Sequence, residues 1–143
     1  MQSDRLRATR ELARKLGATS ILKGNGTITA ARDGHYWING SGNAGMAAAG
    51  MGDVLTGLIA SLLAQGFDPE RAARYGVWLH GAAGDACVAS GRGPAGLTAS
   101  EVIDAARSLV APYIQGLGGF GGGQVCMYTI TPDRHFVIDV HPR

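Results

Sequence analysis

A single carboxylate closes the stretch "AGMGD", residues 49 to 53, and an amphipathic apolar run follows at once. The first turn of a helix presents backbone N–H groups without intrahelical partners and carries the positive end of the helix dipole. With no Cβ at positions 50 and 52, the amides of Gly50, Met51 and Gly52 can come close to a phosphate. A carboxylate there would repel that phosphate unless it serves another purpose. Asp53 can take the proton of a hydroxyl that attacks phosphorus, with Mg²⁺ and the amides neutralising charge. The competing reading is structural: Asp is a favoured N-cap, and Gly precedes many helices. On the residues alone the two readings of Asp53 stand about even, and Gly42 and Gly45 upstream tilt the segment towards function.

A second candidate is "LKGNGT", residues 22 to 27, a lone Lys followed by two glycines and a hydroxyl. At a strand end, where ligands gather in α/β sheets, Lys23 can reach a nucleotide phosphate or ribose, and Gly24 and Gly26 allow backbone contact. A tight turn with a solvated Lys is the stronger reading before other information is added. The Lys-Ser/Thr ending of a Walker A loop is absent. In "WLHGAAGDA", residues 78 to 86, His80 and Asp85 do not share a helix face well, so a packed or capped histidine outweighs a metal ligand. Gly76, Gly81 and Gly84 on the same Ala-rich segment suggest close approach of another helix or of an adenine ring, and the segment reads as mainly structural. "GLGGFG", residues 116 to 121, fits the dinucleotide G-x-G-x-x-G spacing but opens no helix, so that reading fails on context. His35, His135 and His141 have no partner in the sequence, and Gly-x-Ser-x-Gly, H-E-x-x-H and C-x-x-C are all missing. Hydrolase-triad and zinc chemistry are unsupported.

The elements that must carry these residues follow from periodicity. Leu6, Ala13 and Leu16, with Leu12 beside them, predict a helix from Asp4 to Leu16 that Gly17 ends. "TSILKG" reads as a short buried strand, and "TITAA" and "YWIN" flank Asp33–Gly34, a two-residue hairpin signal. Val54, Leu55, Leu58, Ile59, Leu62 and Leu63 predict one apolar helix face ending at Gly66. Asp68 and Pro69 start a further helix that runs to about Ser90. Thr98 and Glu101 form a capping box for a last helix bearing Val102, Ile103, Ala106 and Val110, which Pro112 ends. Residues 113–123 read as a glycine-rich linker and 124–143 as a hairpin-like tail. Strands first and helices later suggest part of a layered α/β fold.

Composition narrows the class. A chain of 143 residues, 45% hydrophobic and 17% charged, has the make-up of one globular domain with a real core. No apolar run is long enough to span a bilayer, and the charged opening lacks the pattern of a secretory signal, so a cytoplasmic protein without a membrane role is the expectation. The net charge is +2, and Asp4 and Glu11 interrupt the one dense basic stretch, which argues against nucleic acid as a partner. Cys87 and Cys126 lack metal-ligand spacing and are expected as reduced thiols. The sequence does not report oligomeric state, and a homo-oligomer is compatible with it.

The order "LKGNGT", "INGSGNAGMAAAGMGDVLTGLIASLLAQG", "GVWLHGAAGDA" and "GLTASEVIDA" resembles the C-terminal half of the ADP-dependent NAD(P)H-hydrate dehydratases, members of the ribokinase-like superfamily. The likeness runs from about Gln2 to Val110. The Gly-x-Gly-Asp element is shared with the superfamily's small-molecule kinases, whereas "KGxGT" together with "GNxGM…GMGDVLTG" is much more specific. The resemblance implies an α/β, partial ribokinase-like three-layer fold over residues 1–112. It implies ADP- or ATP-dependent removal of water from hydrated NADH or NADPH with Mg²⁺, through phosphorylation of the substrate hydroxyl and then elimination. By the same resemblance Lys23, Gly24, Asn25, Gly26 and Thr27 bind the adenine nucleotide, and Gly50, Met51 and Gly52 supply anion-binding amides. Asp53 contacts the hydrated nicotinamide as base, and Asn43 shapes the same pocket. No protein metal ligand is implied. Two positions depart from the family: Ala44 stands where Pro is usual, and Ala49 where Gly is frequent. The family's N-terminal half, with the first strands of a parallel sheet, has no counterpart in the sequence, so a fragment of the domain with an unpaired sheet edge is expected. A vitamin-precursor kinase and a non-catalytic nucleotide-binding remnant are the alternatives.

Overall fold

A computed structural model describes residues 4–114. Helix α1 (Arg5–Leu16) leads into three short strands, β1 (Ser20–Leu22), β2 (Ile28–Ala30) and β3 (Tyr36–Ile38). After a 3-10 turn (Ala44–Met46) come α2 (Met51–Ala64), α3 (Pro69–Ala89), α4 (Ala99–Val110) and a second 3-10 turn (Ala111–Tyr113). The result is a mixed α/β chain with a small sheet and helices. No helix among the described residues is long and apolar enough to cross a membrane. The expected linker and tail lie, from residue 115 onward, outside the described residues.

The predicted starts of α1, α3 and α4 are those observed, because each carries its own signal. Asp4 caps α1 by accepting the Arg7 N–H at 3.0 Å, and Gly17 closes it at φ 63. Asp68 accepts the Arg71 N–H at 3.0 Å with Pro69 following. At α4, Glu101 accepts the Thr98 N–H at 2.8 Å while the Thr98 hydroxyl accepts the Glu101 N–H at 3.4 Å. The buried face of α1 differs from expectation. Thr9 and Ala13 meet the sheet, while Leu12 and Leu16 remain 49% and 63% exposed. Small residues let α1 approach β1 and β2 closely, and the larger neighbours flank that contact.

The sheet has the order β1-β2-β3 and is antiparallel throughout, pairing Ser20 with Ala30, Leu22 with Ile28 and Ile28 with Ile38. The antiparallel β2–β3 pair is the hairpin that the sequence predicts, and β1 joins it antiparallel as well. Residues 23–27 and 31–35 are too short for the crossover that parallel neighbours need. The β2–β3 turn differs from a two-residue hairpin. Ala31 N–H donates to the His35 carbonyl at 2.8 Å and Gly34 N–H to the Ala31 carbonyl at 2.9 Å, so Arg32, Asp33 and Gly34 all lie within the turn. Ile28, Thr29 and Ala30 are all buried, which requires cover on both faces of β2; α1 and α3 both touch it.

The helices pack in the sequence α2–α3–α4 around Met46, Met51, Val54, Ala83, Cys87 and Val102. Small residues on α3 set this spacing: a Cβ added at Gly76 would fall 2.6 Å from Ile59 Cγ1 of α2. At Gly81 it would fall 2.8 Å from the Ser41 carbonyl. Gly76 thus meets the expectation of close approach by another helix, α2.

Candidate functional site

The Lys23–Thr27 segment is the turn between β1 and β2, and it is internally fixed. The Thr27 hydroxyl accepts the Gly24 N–H at 3.2 Å and donates to the Gly24 carbonyl at 2.9 Å. From α1, the Arg5 guanidinium donates to the Asn25 carbonyl at 2.6 Å and to the Leu22 carbonyl at 3.3 Å. Both the backbone and its glycines are thereby held in place. Lys23 is exposed and makes no hydrogen bond or ion pair among the described residues.

Facing this turn is the segment after β3. Asn39 continues the ladder by donating its N–H to the Thr27 carbonyl at 2.9 Å. The Ser41 hydroxyl reaches the Trp78 carbonyl of α3 at 3.1 Å. Asp85, also on α3, then clamps the next residues: its carboxylate accepts the Gly42 N–H at 2.8 Å and the Asn43 Nδ2 at 3.1 Å. Gly42 takes φ 103, which a side chain would oppose. The Asn43 Oδ1 accepts the Gly45 N–H at 3.0 Å and so starts the 3-10 turn. Asp85 thus has a defined task that its spacing from His80 did not reveal.

Between these walls lies a cavity of about 590 Å³. Lys23, Gly24, Asn25, Gly26, Thr27 and Asn43 line it together. Met46, Leu55 and Val77 give it apolar surface, and His80 a polar one. Gly50, Met51, Gly52 and Asp53 are not among its lining residues. They form the start of α2, where Gly50 at φ 80 is the N-cap and supplies no side-chain hydrogen bond. Asp53 sits in the first turn, exposed, so it is not the cap. Met51 is wholly buried in the core, which leaves only its backbone available to a ligand. A smaller hollow of about 200 Å³ between β3 and α3 holds none of the expected residues. There the Arg74 guanidinium stacks 4.3 Å from the centre of the Trp37 ring.

His80 is buried on α3, as the packed-histidine reading of the sequence expected. It is 5% exposed, and its Nε2 is buried without a hydrogen-bond partner among the described residues. Burial pushes its pKa below the ordinary value, the Lys23 ammonium pushes the same way, and the Met51 backbone opposes both. Burial and Lys23 thus favour the neutral ring, which lies between the cavity and the first residue of α2.

Helices packed with a small antiparallel sheet, and a cavity shared by a strand turn and a glycine-rich loop, define a mixed α/β domain of known type. Crystals of the ADP/ATP-dependent NAD(P)H-hydrate dehydratase from Bacillus subtilis, grown with ATP/Mg²⁺, contain the same arrangement at TM-score 0.72. The two chains are 34% identical, and the match covers 78% of this chain and 40% of that one. The family model for NAD(P)H-hydrate dehydratase matches residues 1–107, and the chain belongs to that family. The ADP-dependent (S)-NAD(P)H-hydrate dehydratase of Neisseria meningitidis serogroup B is 50% identical over 109 residues, 76% of this chain and 37% of the relative. The bifunctional NAD(P)H-hydrate repair enzyme Nnr of Moorella thermoacetica is 48% identical over 104 residues, 73% of this chain and 19% of the relative. The chain thus spans 37% and 19% of the lengths of these two relatives.

Proposed function

We propose that this chain carries the nucleotide site of an enzyme that dehydrates hydrated NADH or NADPH at the expense of ADP or ATP. The observation that carries the reading is the Lys23–Thr27 turn, braced by Arg5, opening on one cavity with Asn43. Residues 1–112 are part of a ribokinase-like three-layer domain, a reading supported by the burial of β2 on both faces.

Lys23 attracts the phosphates, and the amides of the fixed turn meet the nucleotide without intervening side chains at Gly24 and Gly26. Asn43, tied to Asp85, keeps the facing wall in position. At the start of α2, the amides of Gly50, Met51 and Gly52 have no side-chain cap and are oriented for an anion. Asp53 takes the proton from the substrate hydroxyl as its oxygen attacks the terminal phosphorus. The nucleotide leaves one phosphoryl group shorter. The carbon–oxygen bond then breaks, inorganic phosphate departs with the bonding pair, a proton is lost from the adjacent carbon, and the ring double bond returns. Among the described residues no three His, Cys, Asp or Glu side chains gather for a metal. Mg²⁺ brought in with the nucleotide would neutralise charge on the transferring group.

Thermal melting with ADP and Mg²⁺ tests the nucleotide site. At a ligand concentration about 100 times Kd, stabilisation of about 2.7 kcal/mol is expected. An unchanged melting temperature at millimolar nucleotide would refute the reading.

A further inference from the structure

We infer that Arg5 is a positioning residue for nucleotide binding: from α1 it orients the Lys23–Thr27 turn so that the backbone N–H groups of Lys23 and Gly26 face the phosphates. The inference rests on the nucleotide reading above and names a residue outside the cavity on which that site depends.

A trans peptide is planar, so the C=O of one residue and the N–H of the next point in opposite directions. The half-buried Arg5 guanidinium donates to the Asn25 carbonyl at 2.6 Å and to the Leu22 carbonyl at 3.3 Å. Both carbonyls are thereby turned towards α1. The N–H groups of the same two peptide units, those of Lys23 and Gly26, are turned away from it. Lys23 and Gly26 line the 590 Å³ cavity, whereas Arg5 does not, so Arg5 can act on a ligand only through the turn. Neither N–H donates to another group among the described residues, while the Gly24 N–H is taken up by the Thr27 hydroxyl. Free N–H groups beside an ammonium suit an anionic oxygen, which is what a phosphate offers. Gly24 leaves the room that the brace needs: a Cβ there would fall 2.8 Å from Arg5 Nη2. Two charge-assisted hydrogen bonds from one planar group fix the orientation of a turn as well as its place.

A second arginine of α1 separates orientation of the ligand turn from bracing alone. Arg10 Nε donates to the Gly34 carbonyl at 3.0 Å, in the turn between β2 and β3, and residues 31–35 do not line the cavity. Both arginines fasten a turn to the same helix, but only Arg5 fastens the turn that faces the ligand.

Calorimetric titration with ADP and Mg²⁺, paired with denaturant unfolding, compares the unsubstituted protein with Arg5→Ala, Arg5→Lys and Arg10→Ala. Arg5→Ala should weaken ADP binding about five- to tenfold, the effect of about one hydrogen bond. Arg5→Lys keeps a charged donor without the planar fork and should fall between. Arg10→Ala should lose stability, as Arg5→Ala does, and leave ADP affinity unchanged. If the unsubstituted protein binds ADP and folded Arg5→Ala binds it equally well, the inference is wrong and the nucleotide site stands. The same holds if Arg10→Ala weakens ADP as much as Arg5→Ala, since bracing alone would then account for the loss. If the unsubstituted protein does not bind ADP, both readings fail. Should Arg5→Ala not fold, Arg5→Lys decides: weaker ADP binding supports the inference, and equal binding overturns it.

Discussion

Asp53 stands in the first turn of α2, exposed and without a hydrogen bond or ion pair among the described residues. Its structural contribution is limited to a favourable interaction with the helix dipole, about 0.3–1 kcal/mol at the surface. Gly50 holds the cap position, so no helix-start hydrogen bond depends on this carboxylate. Asp53→Asn should therefore leave the melting temperature nearly unchanged and abolish dehydration, measured by parallel melting and turnover. A large fall in stability with turnover retained would return Asp53 to a structural role. The residues around it were unevenly legible. Lys23, Gly24 and Thr27 could be singled out because glycines and a hydroxyl beside a lone Lys mark a turn whatever surrounds it. His80 could be read as a packed histidine, and it is buried, but its nearness to Lys23, distant in sequence, could not be read.

At the scale of elements, local signals and long-range contacts part company. Caps at Asp4, Asp68 and Thr98 are read from a few adjacent residues, and the helices start there. Strand direction depends on the length of the connections, and the short turns at 23–27 and 31–35 make the sheet antiparallel. The loop that faces the Lys23 turn owes its shape to α3, through Asp85 bonded to Gly42 and Asn43. Asp85→Ala removes both acceptors and leaves those donors unpaired, at a cost of about 1–3 kcal/mol. Denaturant unfolding should show that loss, and titration with ADP should show weakened binding; Asp85→Asn, which keeps one acceptor, should fall between. Unchanged stability and unchanged affinity in Asp85→Ala would mean that the clamp does not hold the cavity wall.

Across the whole molecule, the helical layer and sheet bring the Lys23 turn, the Gly42–Asn43 loop and His80 to one cavity, with the start of α2 next to it. Phosphoryl transfer needs little covalent chemistry from a protein beyond positioning and charge stabilisation. A braced turn, a clamped loop and an uncapped helix start are devices of that kind. The chain belongs to the NAD(P)H-hydrate dehydratase family and spans 37% of its Neisseria relative, and dehydration is the reaction proposed for this arrangement. The most direct measurement is the return of reduced-nicotinamide absorbance from hydrated NADH after ADP and Mg²⁺ are added to the protein. The expected result is recovery that requires the nucleotide and disappears in Asp53→Asn. Nucleotide binding without any recovery, or phosphorylation of a vitamin precursor in its place, would contradict dehydration as the function.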